Sequence, residues 1–178
     1  MDIYEIEDTL KTFSVLIDTR EQNTPKASER FKSFGVPYKR ATLGYGDYCG
    51  NIILPGDKPL HDDSVPVKPQ CCIERKMSLD ELAGCFTRSR DRFRREFERA
   101  REAGATVYLL VENASYEAII NHRYRSKFNP EAFLASVTAW VVRYDLRPIF
   151  CKAGTSGRMI REILFRDMKA RLERGEYG

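Results

Sequence analysis

The chain has 178 residues, 42% hydrophobic and 31% charged, with 30 Lys and Arg against 26 Asp and Glu. That length suits one domain with a buried core, and a net charge of +4 with a pI near 8.8 permits an anionic partner without demanding one. Five cysteines (49, 71, 72, 85 and 151) show no C-x-x-C pairing and His61 and His122 stand far apart, which argues against a disulfide framework and a zinc ribbon. No apolar run approaches the roughly 20 residues of a membrane span, and the acidic start Met1-Asp2-Ile3-Tyr4-Glu5 lacks the basic and apolar regions of a signal peptide. The expectation is an intracellular, cytoplasmic protein with no membrane partner.

In chain order, residues 1–13 read as a polar lead-in with about one helical turn. The β-branched, apolar run 14–18 reads as a buried strand, with a charged exit at 19–22. Helical spacing over 25–34 places Ala27, Phe31 and Phe34 on one face, and Gly35 ends it. Residues 38–42 form a second strand entering a Gly44–Gly46 turn, and 50–70, rich in Pro, Gly and Asp, read as a hairpin connection or flexible insert. The third strand is 71–74. Ser78 with Glu81 three residues later predicts a helix start with a capping box. An Arg- and Glu-dominated helix covers 88–101, with Phe93 and Phe97 at i, i+4 spacing, and Gly104 closes it. The fourth strand is 106–111. Asn129-Pro130 starts a helix through 143 with the apolar stripe Phe133, Val137, Trp140 and Val141. A fifth strand covers 147–151, and a Gly154–Gly157 turn opens a final amphipathic helix to about residue 174.

Strands alternating with helices argue a single α/β domain: the lead-in 1–13, then one unit over 14–178. Periodicity alone does not choose among α/β folds. No G-x-G-x-x-G follows a strand and no G-x-x-x-x-G-K-[ST] occurs, so nucleotide-binding folds lose ground.

The chemistry concentrates between Leu43 and Asp80. An apolar run ending in Glu74-Arg75-Lys76 reads as a strand that delivers three charges to a sheet edge, with Glu74 and Lys76 on one face and Arg75 on the other. Asp47, from a neighbouring turn, is expected to meet the first face. Two carboxylates and an ammonium group there suit a hard divalent cation, Mg²⁺ or Mn²⁺, and a phosphodiester. Each piece has a plainer reading taken alone: Asp47 as a turn residue, Glu74-Arg75-Lys76 as a solvated strand end, Asp18, Arg20 and Glu21 as a surface ion-pair cluster. The arginines from Arg88 to Arg101, interleaved with Asp91, Glu96, Glu98 and Glu102, read first as a salt-bridged helix surface. Trp140 reads as core, and Cys71-Cys72 as small strand residues.

In order along the chain, Gly46-Asp47-Tyr48, Ile73-Glu74-Arg75-Lys76 and Asp80 resemble the Gly-Asp…Glu-Arg-Lys…Asp signature of the XPF-type nuclease domain, the family of the XPF and Hef nucleases. Val15-Leu16-Ile17-Asp18-Thr19-Arg20-Glu21 resembles that family's first strand, and Tyr108-Leu109-Leu110-Val111-Glu112 a later core strand. Three motifs in order are far more specific than one.

The resemblance implies a restriction-endonuclease-like central mixed β-sheet flanked by helices, and a metal-dependent DNA endonuclease acting at branched, flap or junction DNA in repair or recombination. It implies catalytic roles for Asp18, Glu21, Asp47, Glu74, Arg75 and Lys76, with Asp18, Asp47 and Glu74 as metal ligands and Arg20, Arg88, Arg92 and Arg95 holding DNA. Many members carry a tandem helix-hairpin-helix module after the nuclease. None is legible here, so the expectation is a stand-alone domain, of a prokaryote or phage-infected cell, targeted by its own surface or by a partner protein. A homodimer is expected on the 133–141 stripe and on Ile160, Ile163, Leu164 and Met168 of the last helix. The alternative is a catalytically inactive DNA-binding or dimerisation subunit, which would typically have lost acidic residues that this chain retains.

Overall fold

Six of the chain's strands assemble into a mixed sheet in a computed structural model that describes residues 1–62 and 65–177. In chain order the strands are β1 (Ser14–Asp18), β2 (Tyr38–Ala41), β3 (Tyr48–Asn51), β4 (Ile53–Leu54), β5 (Lys58–Pro59), β6 (Cys71–Lys76), β7 (Thr106–Glu112) and β8 (Arg147–Cys151). The sheet order is β2-β1-β3-β6-β7-β8, while β4 and β5 pair as a separate ribbon. β1 runs parallel to β2 and antiparallel to β3, β3 is antiparallel to β6, and β6, β7 and β8 are mutually parallel neighbours.

Helices cover both faces, which is why the central strands are apolar runs rather than strict alternations. On one face lie α1 (Ile3–Lys11), α2 (Pro25–Lys32) and α7 (Ala153–Glu173), whose Ile6, Phe31, Ile160 and Leu164 pack with Val15, Ile17, Tyr48 and Ile73. On the other lie α3 (Leu79–Thr87), α4 (Arg90–Glu102), α5 (Tyr116–Ile120) and α6 (Pro130–Tyr144). There Phe86, Phe93, Phe97 and Trp140 pack with Cys72, Leu109 and Val111. Trp140 stacks on Phe93 with centroids 5.2 Å apart and is buried, a core residue as expected. Cys71 and Cys72 are buried strand residues with free thiols.

The differences from expectation have local causes. The lead-in is a nine-residue helix, because Asp2 and Glu5 form a reciprocal capping box and Ile6 and Leu10 reach the core. β3 straddles the start of the 50–70 stretch read as insert, with Tyr48 and Cys49 before it and Gly50 and Asn51 inside it. Its Tyr-Cys-Gly-Asn sequence carries little strand propensity, and pairing with β1 and β6 makes it a central, fully buried strand. The rest of the 50–70 insert holds the β4–β5 ribbon and a Leu43–Val67 bridge, while residues 63 and 64 lie outside the described residues. The Gly154–Gly157 segment is no turn. Both glycines lie inside α7, and at Gly157 a Cβ would collide with the Ser33 hydroxyl and the Arg30 carbonyl, so glycine lets α7 close on α2.

The residues offered for a homodimer are committed within the chain. Phe133, Val137 and Trp140 fill one core, Ile160, Leu164 and Met168 the other, and Val141 and Ile163 pack against them. A sheet with two buried faces consumes twice the apolar surface that a single-faced reading allowed. Among the described residues, no helix is long and apolar enough to cross a membrane.

Candidate active site

β6 ends with the expected alternation. Cys72 packs on the α3–α4–α6 side and Ile73 on the α1–α2–α7 side, so Glu74 and Lys76 follow Cys72 while Arg75 follows Ile73. Lys76 Nζ donates to Glu74 Oε1 at 2.6 Å and sits 5.1 Å from the centre of the Phe93 ring, held between a carboxylate and an aromatic face.

Asp47 arrives from the turn before β3. The turn is pinned on both sides, since Asp18 N–H donates to the Asp47 carbonyl at 2.9 Å and Asp47 N–H to the Ile73 carbonyl at 2.8 Å. Asp47 Oδ2 also accepts from Arg75 N–H at 2.7 Å. Gly46 makes this possible: its φ is +74°, and a Cβ there would lie 2.8 Å from the Cys72 side chain. Asp47, Glu74 and Lys76 thus share the wall of a cavity of about 260 Å³, with Arg20, Glu81, Cys85, Ser89, Arg92, Phe93 and Glu96 completing it.

On the opposite face the side chains of Glu21 and Arg75 enter a buried network that sequence reasoning did not find. Arg75 donates to Glu21 and to Glu112 at 3.3 Å each. Arg30 donates to the same two carboxylates at 3.3 and 3.5 Å, and to the Tyr48 hydroxyl at 3.1 Å. Tyr48 in turn donates to Glu21. Two arginines and two glutamates balance in charge and lock the ends of β6 and β7 to α2. In the sequence Glu112 showed as a charge closing an apolar strand, and Tyr48, Glu21 and Arg75 as motif residues with no sign of their pairing; Arg30 gave no signal.

Asp18, expected as a metal ligand, does not line the cavity. It is buried, and its carboxylate accepts from Arg20 N–H at 3.1 Å, from Arg20 Nε at 2.7 Å and from Arg20 Nη2. Among the described residues no three His, Cys, Asp or Glu side chains cluster as a metal-holding group, so the expected three-carboxylate set is not assembled. Arg20 itself reaches the cavity and also donates to Glu96 at 3.3 Å. Arg92 borders the cavity and Arg95 is exposed on α4; neither makes an ion pair among the described residues, although the salt-bridged helix surface predicted for α4 is present at Arg94 and Arg99. Arg88 is exposed over a neighbouring groove that also contains Asp80.

Burial, and then the nearby Glu74 charge, push the Asp47 carboxyl well above the usual carboxylate range, against the pull of Lys76 and the Arg75 N–H. Burial alone would lower the Lys76 ammonium, but Glu74 and Asp47 raise it, so it stays charged. Burial raises the Cys85 thiol to about 11, which makes it an inert wall residue at neutral pH. For Asp47 the folded protein binds a proton more tightly than the unfolded chain, so its contribution to stability is present at low pH and is lost as pH rises through the window between the two values. Without divalent cations, Asp47→Asn is therefore expected to melt at a higher temperature than the parent, with an advantage that grows as pH rises above the ordinary carboxylate range. Asparagine retains an oxygen for the Arg75 N–H. Thermal scans in chelator check this, and an advantage independent of pH would contradict the electrostatic origin.

Residues 17–162 match the family profile described as the ERCC4 domain. Among solved structures, XPF from Aeropyrum pernix is similar at 23% identity, with a TM-score of 0.58 over 86% of this chain and 61% of that one. The same protein in complex with DNA matches at 24% identity, with a TM-score of 0.58 over 88% of this chain and 65% of that one. The chain thus spans somewhat under two thirds of the length of these structures and shares their fold, the restriction-endonuclease-like mixed sheet. Comparison with curated protein sequences gives no match.

Proposed function

Because this chain belongs to the ERCC4 domain family, we propose that it is a cation-dependent DNA endonuclease centred on the Asp47–Glu74–Lys76 cavity. The observation that carries the reading is the convergence of two carboxylates and a buried ammonium in one open pocket beside Arg92, an arginine without an ion pair among the described residues. Burial, and then the neighbouring Glu74 charge, raise the Asp47 carboxyl, a penalty that a bound cation would relieve. The donor set fits Mg²⁺ or Mn²⁺, which bind through one or two carboxylates while keeping waters and substrate phosphate oxygens. Asp47 and Glu74 would hold the ion, and when bound it would supply charge stabilisation at the phosphate undergoing hydrolysis.

The remaining work falls to the chain's own groups. Lys76, fixed by Glu74 and Phe93, places a permanent positive charge where the phosphate oxygens gain negative charge. Arg92 and Arg20 stand at the mouth to hold the phosphodiester backbone, with Arg95 extending that surface along α4 and Arg88 exposed over the neighbouring groove on the other side of α3. Asp18 acts by orienting Arg20, and Glu21 and Arg75 act by fixing the strand end that presents Glu74 and Lys76. An inactive subunit would have no reason to keep this acidic pair assembled.

The test is incubation with single-stranded, linear duplex, flap, fork and four-way junction DNA. Cleavage is expected with Mg²⁺ or Mn²⁺, while Ca²⁺ should support binding better than cutting. The branched substrates should be preferred. Undiminished cleavage in excess EDTA, or no cleavage of any substrate with either ion, would overturn the proposal.

A further inference from the structure

Asp80 completes the sequence signature yet stands outside the cavity. α3 separates the two environments: Glu81 and Cys85 face the cavity, whereas Asp80, Gly84, Thr87 and Arg88 face an open groove of about 780 Å³. The groove's far wall is the loop that enters α6. Asp80 Oδ1 accepts from two successive backbone N–H groups of that loop, Arg125 at 2.8 Å and Ser126 at 2.7 Å.

The loop is ordered by its own bonds as well. His122 adopts a left-handed backbone with φ 51°, its ring nitrogen meets the Ser126 carbonyl at 2.9 Å, and the Tyr124 hydroxyl donates to the Phe128 carbonyl at 2.7 Å. Residues therefore alternate in exposure: Tyr124, Ser126 and Phe128 are partly buried, and Arg123, Arg125 and Lys127 point outward. Arg125 and Lys127 face Arg88 across the groove, and Arg88 lies over Gly84, with its Nη2 3.1 Å from where a Cβ would stand. The Arg125 side chain is 93% exposed and only 3.5 Å from Asp80 Oδ2, so in water that pair contributes little and leaves the guanidinium available.

We infer that Asp80 is a positioning residue, not a catalytic one: it clamps the 121–129 loop so that Arg125, Lys127 and Arg88 form a second phosphate-binding groove beside the catalytic cavity. The occupant is the sugar-phosphate backbone of the DNA flanking the scissile bond. Alternating cations on a preordered backbone suit a repeating anionic chain better than a single small anion. The inference rests on the DNA-cleaving reading of the neighbouring cavity.

Asp80→Asn and Asp80→Ala separate clamp from catalyst. Asparagine keeps the one oxygen that accepts both N–H groups, so Asp80→Asn should bind a fork DNA within about twofold of the parent, whereas Asp80→Ala should weaken binding by about five- to tenfold. The Asp80→Ala deficit should disappear at saturating DNA. Hydrogen exchange at the Arg125 and Ser126 amides should accelerate in Asp80→Ala alone, a readout that needs neither DNA nor cleavage. The double change Arg125→Ala with Lys127→Ala should lower the slope of log K against log salt by about two contacts' worth.

If Asp80→Asn is as damaging as Asp80→Ala and the loss persists at saturating DNA, Asp80 belongs to the chemical centre and the inference fails. It fails equally if the double variant leaves affinity and salt slope unchanged. If the parent binds DNA with these dependences but never cuts, the cleavage reading falls and the clamp stands.

Discussion

Glu74→Gln is expected to lower DNA hydrolysis by on the order of 10³-fold while leaving DNA affinity intact or higher. The substitution preserves size and removes one of the two carboxylates proposed to hold the cation. It also removes the charge that pairs with Lys76 at 2.6 Å and repels Asp47. In the absence of cations, affinity should rise, because a carboxylate no longer opposes phosphate. Lys76→Ala is the informative companion. If Lys76 stabilises charge in the reaction, its loss persists at saturating DNA. If it only attracts the backbone, saturation restores the rate, as it should for Arg92→Ala. Single-turnover cleavage alongside equilibrium binding separates these cases. Wild-type cleavage by Glu74→Gln, or parallel loss of binding and cutting in all three variants, would mean the centre lies elsewhere.

Arg75→Ala should be the most destabilising single change near the site, by about 3–5 kcal/mol. Its side chain is 11% exposed and bonded to Glu21 and Glu112, which are 13% and 5% exposed, so truncation leaves two buried carboxylates sharing Arg30, with the Tyr48 hydroxyl still on Glu21. Arg75→Lys should recover only part of the loss, because one ammonium group cannot span both carboxylates as the guanidinium fork does. The variant should also change the response to acid. Burial alone would raise the Glu21 carboxyl, but Tyr48, Arg75 and Arg30 together hold it below its ordinary value. Its contribution is thus present above the ordinary carboxylate range and lost as pH falls through the folded value. Without Arg75 that acid-side loss should shrink. Urea titrations at several pH values measure both effects, and a destabilisation below about 1 kcal/mol would show that the network contributes little.

The sequence by itself determined the elements with strong local signals. β1, β6 and β7 are apolar runs whose ends are marked by charge, and α2, α3 and α6 begin at Thr24, Ser78 and Asn129, whose side chains each accept a bond from an N–H of the first turn. It also assigned Glu74 and Lys76 to one face of β6 by alternation along the strand, and Asp47 joins them because the Gly46-Asp47 turn has little freedom once it pairs with Ile73. Tertiary structure alone decided the rest. β3 exists because two neighbours satisfy its backbone, not because Tyr-Cys-Gly-Asn favours a strand. The apolar stripes of α6 and α7 became core because the sheet buries both faces, a property that no single helix reports. Asp18 turned to Arg20, and Asp80 to a loop 45 residues away, because a carboxylate accepts from whichever donors folding brings near it, and sequence spacing does not record where those donors end up.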